Sequence, residues 1–112
     1  MTSHINRDAL SEMANILEDD FPGMVKAFIG NTTKLIQQLS VHLLKNDAAS
    51  FILTIHSLKG SSRNMCADDL ADICIRYETL AKSKTLESID SELTALIKEF
   101  ECVKASLLSF LV

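Results

Sequence analysis

Apolar residues recur at spacings of three and four along almost the whole chain, a pattern that is typical of amphipathic helices. Glycine and proline, which often interrupt regular structure, are scarce, with 3 Gly and 1 Pro in 112 residues. The pattern predicts an all-α protein with a short first helix and four longer ones. Because the connections are short, the longer helices are expected to form an antiparallel four-helix bundle, with the short N-terminal helix as an addition.

Capping residues predict where the first helices begin and end. The stripe of the first helix consists of Leu10, Met13, Ala14 and Leu17. Asp20 can cap the second helix, and Pro22 suits its first turn. The second helix is expected to run to about Leu44, after which Asn46 or Asp47 can cap the third.

The last two helices are also marked by apolar stripes, and the stripe of the fourth helix consists of Leu70, Ile73, Cys74, Tyr77 and Leu80. Asp68 and Asp69 precede the fourth helix and suit the positive end of its dipole. In the last helix, which follows residues 83–85, steps of four and three from Ile89 to Phe110 give a heptad pattern. A heptad stripe also suits a coiled-coil dimer. Short connections favour packing within the chain, so a monomer is expected.

Length and composition narrow the class of protein. A chain of 112 residues can bury one core without disulfides, so residues 1–112 are expected to form a single domain. The apolar runs fall far short of the roughly 20 residues that cross a bilayer, and the N-terminus lacks the apolar segment of a signal peptide. A cytoplasmic protein without membrane association is therefore expected. The net charge of −4 argues against nucleic-acid binding.

The polar face of the third helix carries the most informative residues. Its apolar positions, which are predicted to face the core, are Phe51, Ile52, Ile55 and Leu58. This arrangement places His56, Lys59, Gly60 and Arg63 together on the outward face. A glycine within a helix costs about 1 kcal/mol relative to alanine. Gly60, one turn after His56, therefore indicates that another molecule approaches the imidazole closely.

A carboxylate is predicted to lie beside the imidazole. The third and fourth helices are joined by a tight turn near Ala67, and both His56 and Glu78 lie 11 positions from that residue. A carboxylate that accepts the Nδ1 hydrogen would leave Nε2 unprotonated and nucleophilic. Lys59 and Lys82, each about one turn further along, could flank an anion on Nε2. These features indicate a histidine that accepts a phosphoryl group.

Residues 56–82 resemble the signature of histidine-containing phosphotransfer domains. The segment begins His-Ser-Leu-Lys-Gly-Ser-Ser at His56 and continues with Ala67, Leu70, Ile73, Cys74, Tyr77 and Glu78 at the family's spacing. The resemblance implies a four-helix bundle in which His56 accepts a phosphoryl group at Nε2. It implies charge stabilisation by Lys59, clearance at Gly60 and orientation of the ring by Glu78, while Lys82 matches a basic position of the family.

The resemblance also implies partners. The phosphoryl group would come from the receiver-domain aspartate of a hybrid sensor kinase and pass to the receiver domain of a response regulator. The chain would be a phosphocarrier and not an enzyme, without a cofactor of its own, and Mg²⁺ is expected only in the partner receiver. Ile52, Lys59 and Arg63, with apolar residues of the first two helices, are expected to contact the partner.

One position departs from the family's pattern. The family usually carries glycine ten residues after the histidine, at the turn before the next helix, where this chain has Cys66. Cysteine rarely adopts a positive φ without strain. Either the turn does not require a positive φ here, or Cys66 adopts it at some energetic cost.

An adaptor without phosphotransfer is the main alternative function. Such a protein would keep the bundle and the docking face and could sequester a response regulator. The joint presence of His56, Lys59, Gly60 and Glu78 favours the carrier, because an adaptor has no physical need for the complete set.

The remaining histidines and the cysteines are expected to have structural roles. His42 is expected to pack at the edge of an apolar stripe, and His4 to lie in a loose N-terminus. The odd number of cysteines without CxxC spacing argues against a disulfide scaffold. A metal site formed by His56, Cys66 and Cys74 is disfavoured, since helical spacing directs these side chains differently.

Overall fold

Helices account for all regular secondary structure in the described part of the computed structural model, which comprises residues 4–83, 86, 89 and 93–111. The helices are α1 (Arg7–Leu17), α2 (Phe21–Leu44), α3 (Ala48–Asn64), α4 (Asp68–Ser83) and α5 (Leu93–Phe110). Among these helices, none combines the length and the apolar character that a bilayer span requires. The prediction of an all-α chain is confirmed.

Helices α2 to α5 form the predicted antiparallel four-helix bundle. Each of them packs against two others, in the cyclic order α2, α3, α4, α5, while α1 packs against α2. Apolar side chains from all four helices fill the centre; fully buried examples are Val25, Leu39, Phe51, Leu58, Tyr77 and Leu96. The core therefore holds α3 and α4 side by side along their lengths, which fixes the side chains that face each other across this pair.

The entry into α2 differs from the prediction. Asp20 precedes the helix, but its side chain accepts no hydrogen bond from the first turn. Its backbone is already helical, with φ −79° and ψ −17°, because a 3-10 turn, Glu18–Asp20, leads directly into α2. An N-cap residue needs extended backbone to direct its side chain at the free N–H groups. The prediction for Asp20 was therefore wrong, whereas Pro22 does lie in the first turn.

The connection between α2 and α3 uses both of the predicted capping residues. Asn46 has φ 53°, and its N–H donates to the carbonyl of Leu43 at 3.1 Å. The N–H of Asp47 donates to the carbonyl of His42 at 2.9 Å, which completes the left-handed helix ending called a Schellman motif. The side chain of Asp47 then accepts a hydrogen bond from the N–H of Ser50 at 3.1 Å. Asn46 thus ends α2, and Asp47 caps α3.

The turn between α3 and α4 is of the same kind, with Cys66 in the left-handed position. Its φ is 62°, and its N–H donates to the carbonyl of Arg63 at 3.0 Å. The N–H of Ala67 donates to the carbonyl of Ser62 at 2.9 Å. The family's usual glycine fits this backbone without strain, whereas a cysteine adopts it at a cost. The second of the two alternatives for Cys66 is therefore the correct one.

The heptad stripe of α5 is buried within the chain. Its buried residues are Leu93, Leu96, Phe100, Val103 and Leu107. Ile89, earlier in the predicted stripe, is also buried. Around the predicted start of the last helix, residues 84–85, 87–88 and 90–92 lie outside the described residues. Because the bundle uses this stripe internally, a coiled coil through it would require the bundle to open. The monomer remains a prediction.

The strain at Cys66 can be tested by substitutions that differ in their tolerance for positive φ. We expect Cys66→Val to lower the free energy of unfolding by about 1–3 kcal/mol, since a β-branched residue is poorly tolerated at positive φ. Cys66→Gly should stay within about 1 kcal/mol of wild type, because relief of strain offsets greater unfolded-state entropy and the lost buried side chain. Urea denaturation measures both.

Cys74→Val is the matched control for this comparison. Cys74 is also a buried cysteine, but it lies within α4, so valine there should cost less than about 1.5 kcal/mol. If Cys66→Val were no less stable than Cys66→Gly, the turn would not require the left-handed conformation.

Candidate functional site

His56 is displayed on the surface of α3, about halfway along the helix. Its side chain is 65% exposed, while its neighbours Ile55 and Leu58 are fully buried in the core. The core contacts therefore fix the rotation of α3, and this rotation directs His56 outward. The prediction of an outward histidine is confirmed.

A carboxylate on α4 holds the imidazole ring of His56. The Nδ1 atom of His56 lies 3.0 Å from Oε2 of Glu78, whose side chain is only 12% exposed. Because an ionised carboxylate can only accept, Nδ1 carries the hydrogen, and in the neutral ring Nε2 keeps a free electron pair. The equal separation of His56 and Glu78 from the turn thus does bring them into contact.

Two lysines converge on the same carboxylate. Lys59 donates from Nζ to Oε1 of Glu78 at 2.8 Å, and its side chain is only 18% exposed. Lys82 Nζ lies 4.0 Å from Oε2 of Glu78, with its side chain 61% exposed. In the free protein Glu78 draws the ammonium group of Lys59 inward, so Lys59 is less exposed than its place on the outward face predicted. That Lys59 flanks an anion on Nε2 stays a prediction. Lys82 remains largely in solvent.

These contacts lower the pKa of Glu78. The hydrogen bond from Lys59 is the largest cause, and it outweighs the opposing effect of burial. The hydrogen bond with His56 and the charges of Lys59 and Lys82 lower the pKa further. Glu78 is consequently ionised at neutral pH and remains an acceptor for the Nδ1 hydrogen.

Gly60 lies one turn after His56 and leaves open space above the helix. Apart from its chain neighbours and the backbone of its own helix, a Cβ atom at this position would meet no atom of the described residues within 4 Å, and the φ of Gly60 is not positive. Neither packing nor backbone conformation therefore requires glycine in the free protein. Arg63, one turn further, is exposed, and Ile52, one turn before His56, is half-buried.

A shallow apolar groove extends from the C-terminal part of α3 across α2 to α1. Its two halves share Met24 and Asn64, and the half between α2 and α3 also includes Phe28. Ile16 in the other half is 79% exposed, and Met24 is 39% exposed. The predicted docking face included apolar residues of the first two helices, but Ile16 and Met24 were not predicted by name. The available signal was that Ile16 is apolar but lies outside the predicted core stripe of the first helix.

Gly23 and Gly30 lie about one turn on either side of Ala27, which lines this groove. A Cβ at either glycine would likewise meet no atom of the described residues within 4 Å beyond its own helix backbone and chain neighbours. No side chain therefore projects from the exposed side of α2 at these two positions beside the groove. In the same way, none projects from α3 at Gly60, beside His56.

The structural role predicted for His42 agrees with the structure. His42 is half-buried, with Nε2 3.1 Å from Oγ1 of Thr54, as befits a packing residue. Within the described residues, His56, Cys66 and Cys74 do not form a ligand cluster. Burial raises the pKa of the Cys74 thiol to about 12, so this sulfur stays protonated and inert.

The fold and the site together define a class of protein: a four-helix bundle that displays one oriented histidine beside cationic side chains. Comparison with known protein families supports this class. The model of the Hpt domain family matches residues 23–106. The chain therefore belongs to the Hpt domain family, and its role is histidine phosphotransfer in phosphorelays. No significant match was found among curated protein sequences.

Solved structures with the same fold include three Hpt proteins. Histidine-containing phosphotransfer protein B (HptB) of Pseudomonas aeruginosa PAO1 is 26% identical, with a TM-score of 0.91 over 97% of this chain and 95% of that one. The maize protein ZmHP2 is 18% identical, with a TM-score of 0.86 over 97% and 90%. The HPT domain of a sensor hybrid histidine kinase from Shewanella is 24% identical, with a TM-score of 0.75 over 96% and 93%.

The lowered pKa of Glu78 gives a prediction for stability against pH. A depressed folded-state pKa adds stability above the unfolded pKa, and this contribution is lost as pH falls through the folded value. We expect Glu78→Gln to be less stable than wild type near pH 6, and the difference to shrink as the pH falls below about 4.5. Chemical denaturation from pH 6 to pH 3 measures the difference.

Glu101→Gln, on the exposed side of α5, is the matched control and should show little difference from wild type. A stability difference between wild type and Glu78→Gln that stays constant over this pH range would contradict a lowered pKa for Glu78.

Proposed function

We propose that this chain is a phosphorelay intermediate whose phosphorylated residue is His56. The group would arrive from the receiver aspartate of a hybrid sensor kinase and leave to the receiver aspartate of a response regulator. The observation that carries the proposal is the contact of Nδ1 with Glu78 on a ring that is 65% exposed. This contact leaves Nε2 as the free, nucleophilic nitrogen at the surface.

The proposed reaction is a direct displacement at phosphorus. The electron pair of His56 Nε2 forms the P–N bond, and the P–O bond to the receiver aspartate breaks, with its electrons staying on the released carboxylate. The Nδ1 hydrogen remains in place, so the phosphorylated ring gains positive character. The ionised Glu78 next to Nδ1 offsets that charge. The reverse displacement returns the group to a second receiver.

The two lysines would balance the charge of the phosphoryl oxygens. Lys82 is 61% exposed and 4.0 Å from Glu78, and a surface pair of this kind is worth only a few tenths of a kcal/mol. It can therefore turn toward an anion on Nε2 at little cost. Lys59 is more firmly bound to Glu78, so its contribution would require it to share or exchange that contact.

The partner receiver would supply the rest of the chemistry. The sequence carries no motif that resembles an ATP-binding loop, so we do not expect the chain to take the phosphoryl group from ATP itself. In this proposal the receiver contributes its aspartate and a bound Mg²⁺, and this chain contributes the oriented nucleophile. The chain thus acts as a phosphocarrier without a cofactor of its own.

Docking would place the receiver over Gly60 and the neighbouring groove. The missing side chain at Gly60 leaves room for a close approach to His56, and the groove at Met24 and Ile16 offers apolar contact. Ile52 and the cationic Lys59 and Arg63 would complete the contact around the histidine. A small apolar patch with a charged rim suits a transient complex, which a carrier with two partners requires.

Phosphoryl transfer to His56 is the first test. We incubate wild type, His56→Gln and the control His42→Gln with receiver domains phosphorylated by a small phosphodonor in the presence of Mg²⁺. Wild type and His42→Gln should acquire an acid-labile, alkali-stable phosphate, whereas His56→Gln should acquire none. Phosphate-affinity electrophoresis and mass spectrometry measure the label.

Binding of the same receivers to His56→Gln is measured in parallel. If receivers bind wild type and His56→Gln equally but no receiver ever labels wild type, the carrier function fails and the adaptor takes its place. Label on a residue other than His56 would also contradict the proposal.

The docking face gives a separate prediction. Met24→Glu places a charge in the apolar groove and should weaken receiver binding by about tenfold or more, because burial of that charge is costly. Leu44→Glu is the matched control: Leu44 is 88% exposed and lies near the other end of α2, about 30 Å away. Titration calorimetry with a binding-competent receiver measures both affinities.

Circular dichroism should show that both variants keep the helical bundle. Equal affinities of Met24→Glu and Leu44→Glu would place the receiver elsewhere on the surface.

A further inference from the structure

The residues before α1 are held against the bundle, in contrast to the expected loose N-terminus. Ile5 is 2% exposed, and the N–H of Asn6 donates to the carbonyl of Cys66 at 2.7 Å. The side chain of Asn6 caps α1 by accepting from the N–H of Ala9. These contacts fix the backbone next to His4. No partner for this histidine was predicted from the sequence.

His4 is the centre of a group of potential metal ligands that come from three segments. Its Nδ1 lies 2.8 Å from Oε2 of Glu99 on α5, and Asp69 in the first turn of α4 completes the group. One ligand atom from each of the three residues lies within 4.8 Å of the other two. All three residues are partly buried, and the Glu99 side chain is only 14% exposed.

The charges in this group are unbalanced. Neither Glu99 nor Asp69 forms an ion pair with a lysine or arginine in the described part of the chain. Arg7 lines the same surface hollow as Asp69 but makes no such pair with it. The positive end of α4 contributes roughly half an elementary charge, less than the two carboxylates carry. A cation would therefore be stabilised between them.

We propose that His4, Asp69 and Glu99 bind one divalent transition-metal ion, with Zn²⁺ as the representative ion. One imidazole nitrogen and two carboxylate oxygens are ligands that zinc accepts, at distances of about 2.0–2.2 Å. A modest inward movement of the three side chains brings them to those distances, and water completes the coordination. Mg²⁺ and Ca²⁺ favour ligand sets made of oxygen alone, so they should bind less tightly.

Metal binding would replace the hydrogen bond between His4 and Glu99. Nδ1 must give up its hydrogen to present an electron pair, and the neutral ring can carry that hydrogen on Nε2 instead. The metal would then join the N-terminal segment to α4 and α5. Because none of these residues belongs to the phosphotransfer site, the inference does not depend on the function of His56.

Thermal unfolding with added zinc chloride tests the proposal. We compare wild type with His4→Asn and Glu99→Gln, each a nearly isosteric change at the cluster, in a chelator-treated protein. Zinc at about tenfold excess over its dissociation constant should raise the wild-type midpoint by roughly 5 °C. The rise should be largely lost in both variants. Titration calorimetry should give one zinc ion per chain for wild type.

Two control variants separate this cluster from other zinc-binding groups. Glu101→Gln removes an exposed carboxylate from the same helix, and His56→Gln removes the exposed imidazole of α3; both should respond to zinc as wild type does. Absence of a zinc effect in wild type, or an equal effect in Glu99→Gln, would overturn the proposal. An equal midpoint rise with magnesium chloride would overturn the assignment to a transition metal.

Discussion

The contact of Glu78 with His56 and Lys59 is the interaction on which the site depends. A carboxylate that is only 12% exposed needs charged or donating partners, and this one has His56 Nδ1 at 3.0 Å and Lys59 Nζ at 2.8 Å. The same contacts lower the pKa of Glu78 and keep it an acceptor. The orientation of the imidazole therefore follows from the need of a largely buried carboxylate for partners.

That contact exists only because α3 and α4 are held in one register. The turn between them closes through hydrogen bonds from Cys66 and Ala67 to the end of α3, and it requires a positive φ at Cys66. Below the turn, buried side chains of both helices fix their rotation, so the outward His56 meets Glu78 eleven residues along the returning helix. The core and the turn thus position a site whose reactive atom lies at the surface.

Much of the fold could be predicted because helical periodicity is a local property of the sequence. The stripes of α4 and α5, the cap at Asp47 and the end of α2 at Leu44 all appear where the pattern placed them. The prediction for Asp20 failed, since the sequence does not show that a 3-10 turn makes the backbone continuous with α2. Contact between His56 and Glu78 was predictable because a tight turn between two antiparallel helices places residues that are equally far from the turn side by side.

By itself, the sequence determined the all-α class, the outward position of His56 and the signature that marks the family, because these depend on the spacing of residues along one or two helices. The tertiary structure decided where Lys59 donates its hydrogen bond, the conformation of Cys66 and the grouping of His4 with Asp69 and Glu99. These features depend on distances between segments that are remote in sequence. Such distances are set by the packing of the whole core.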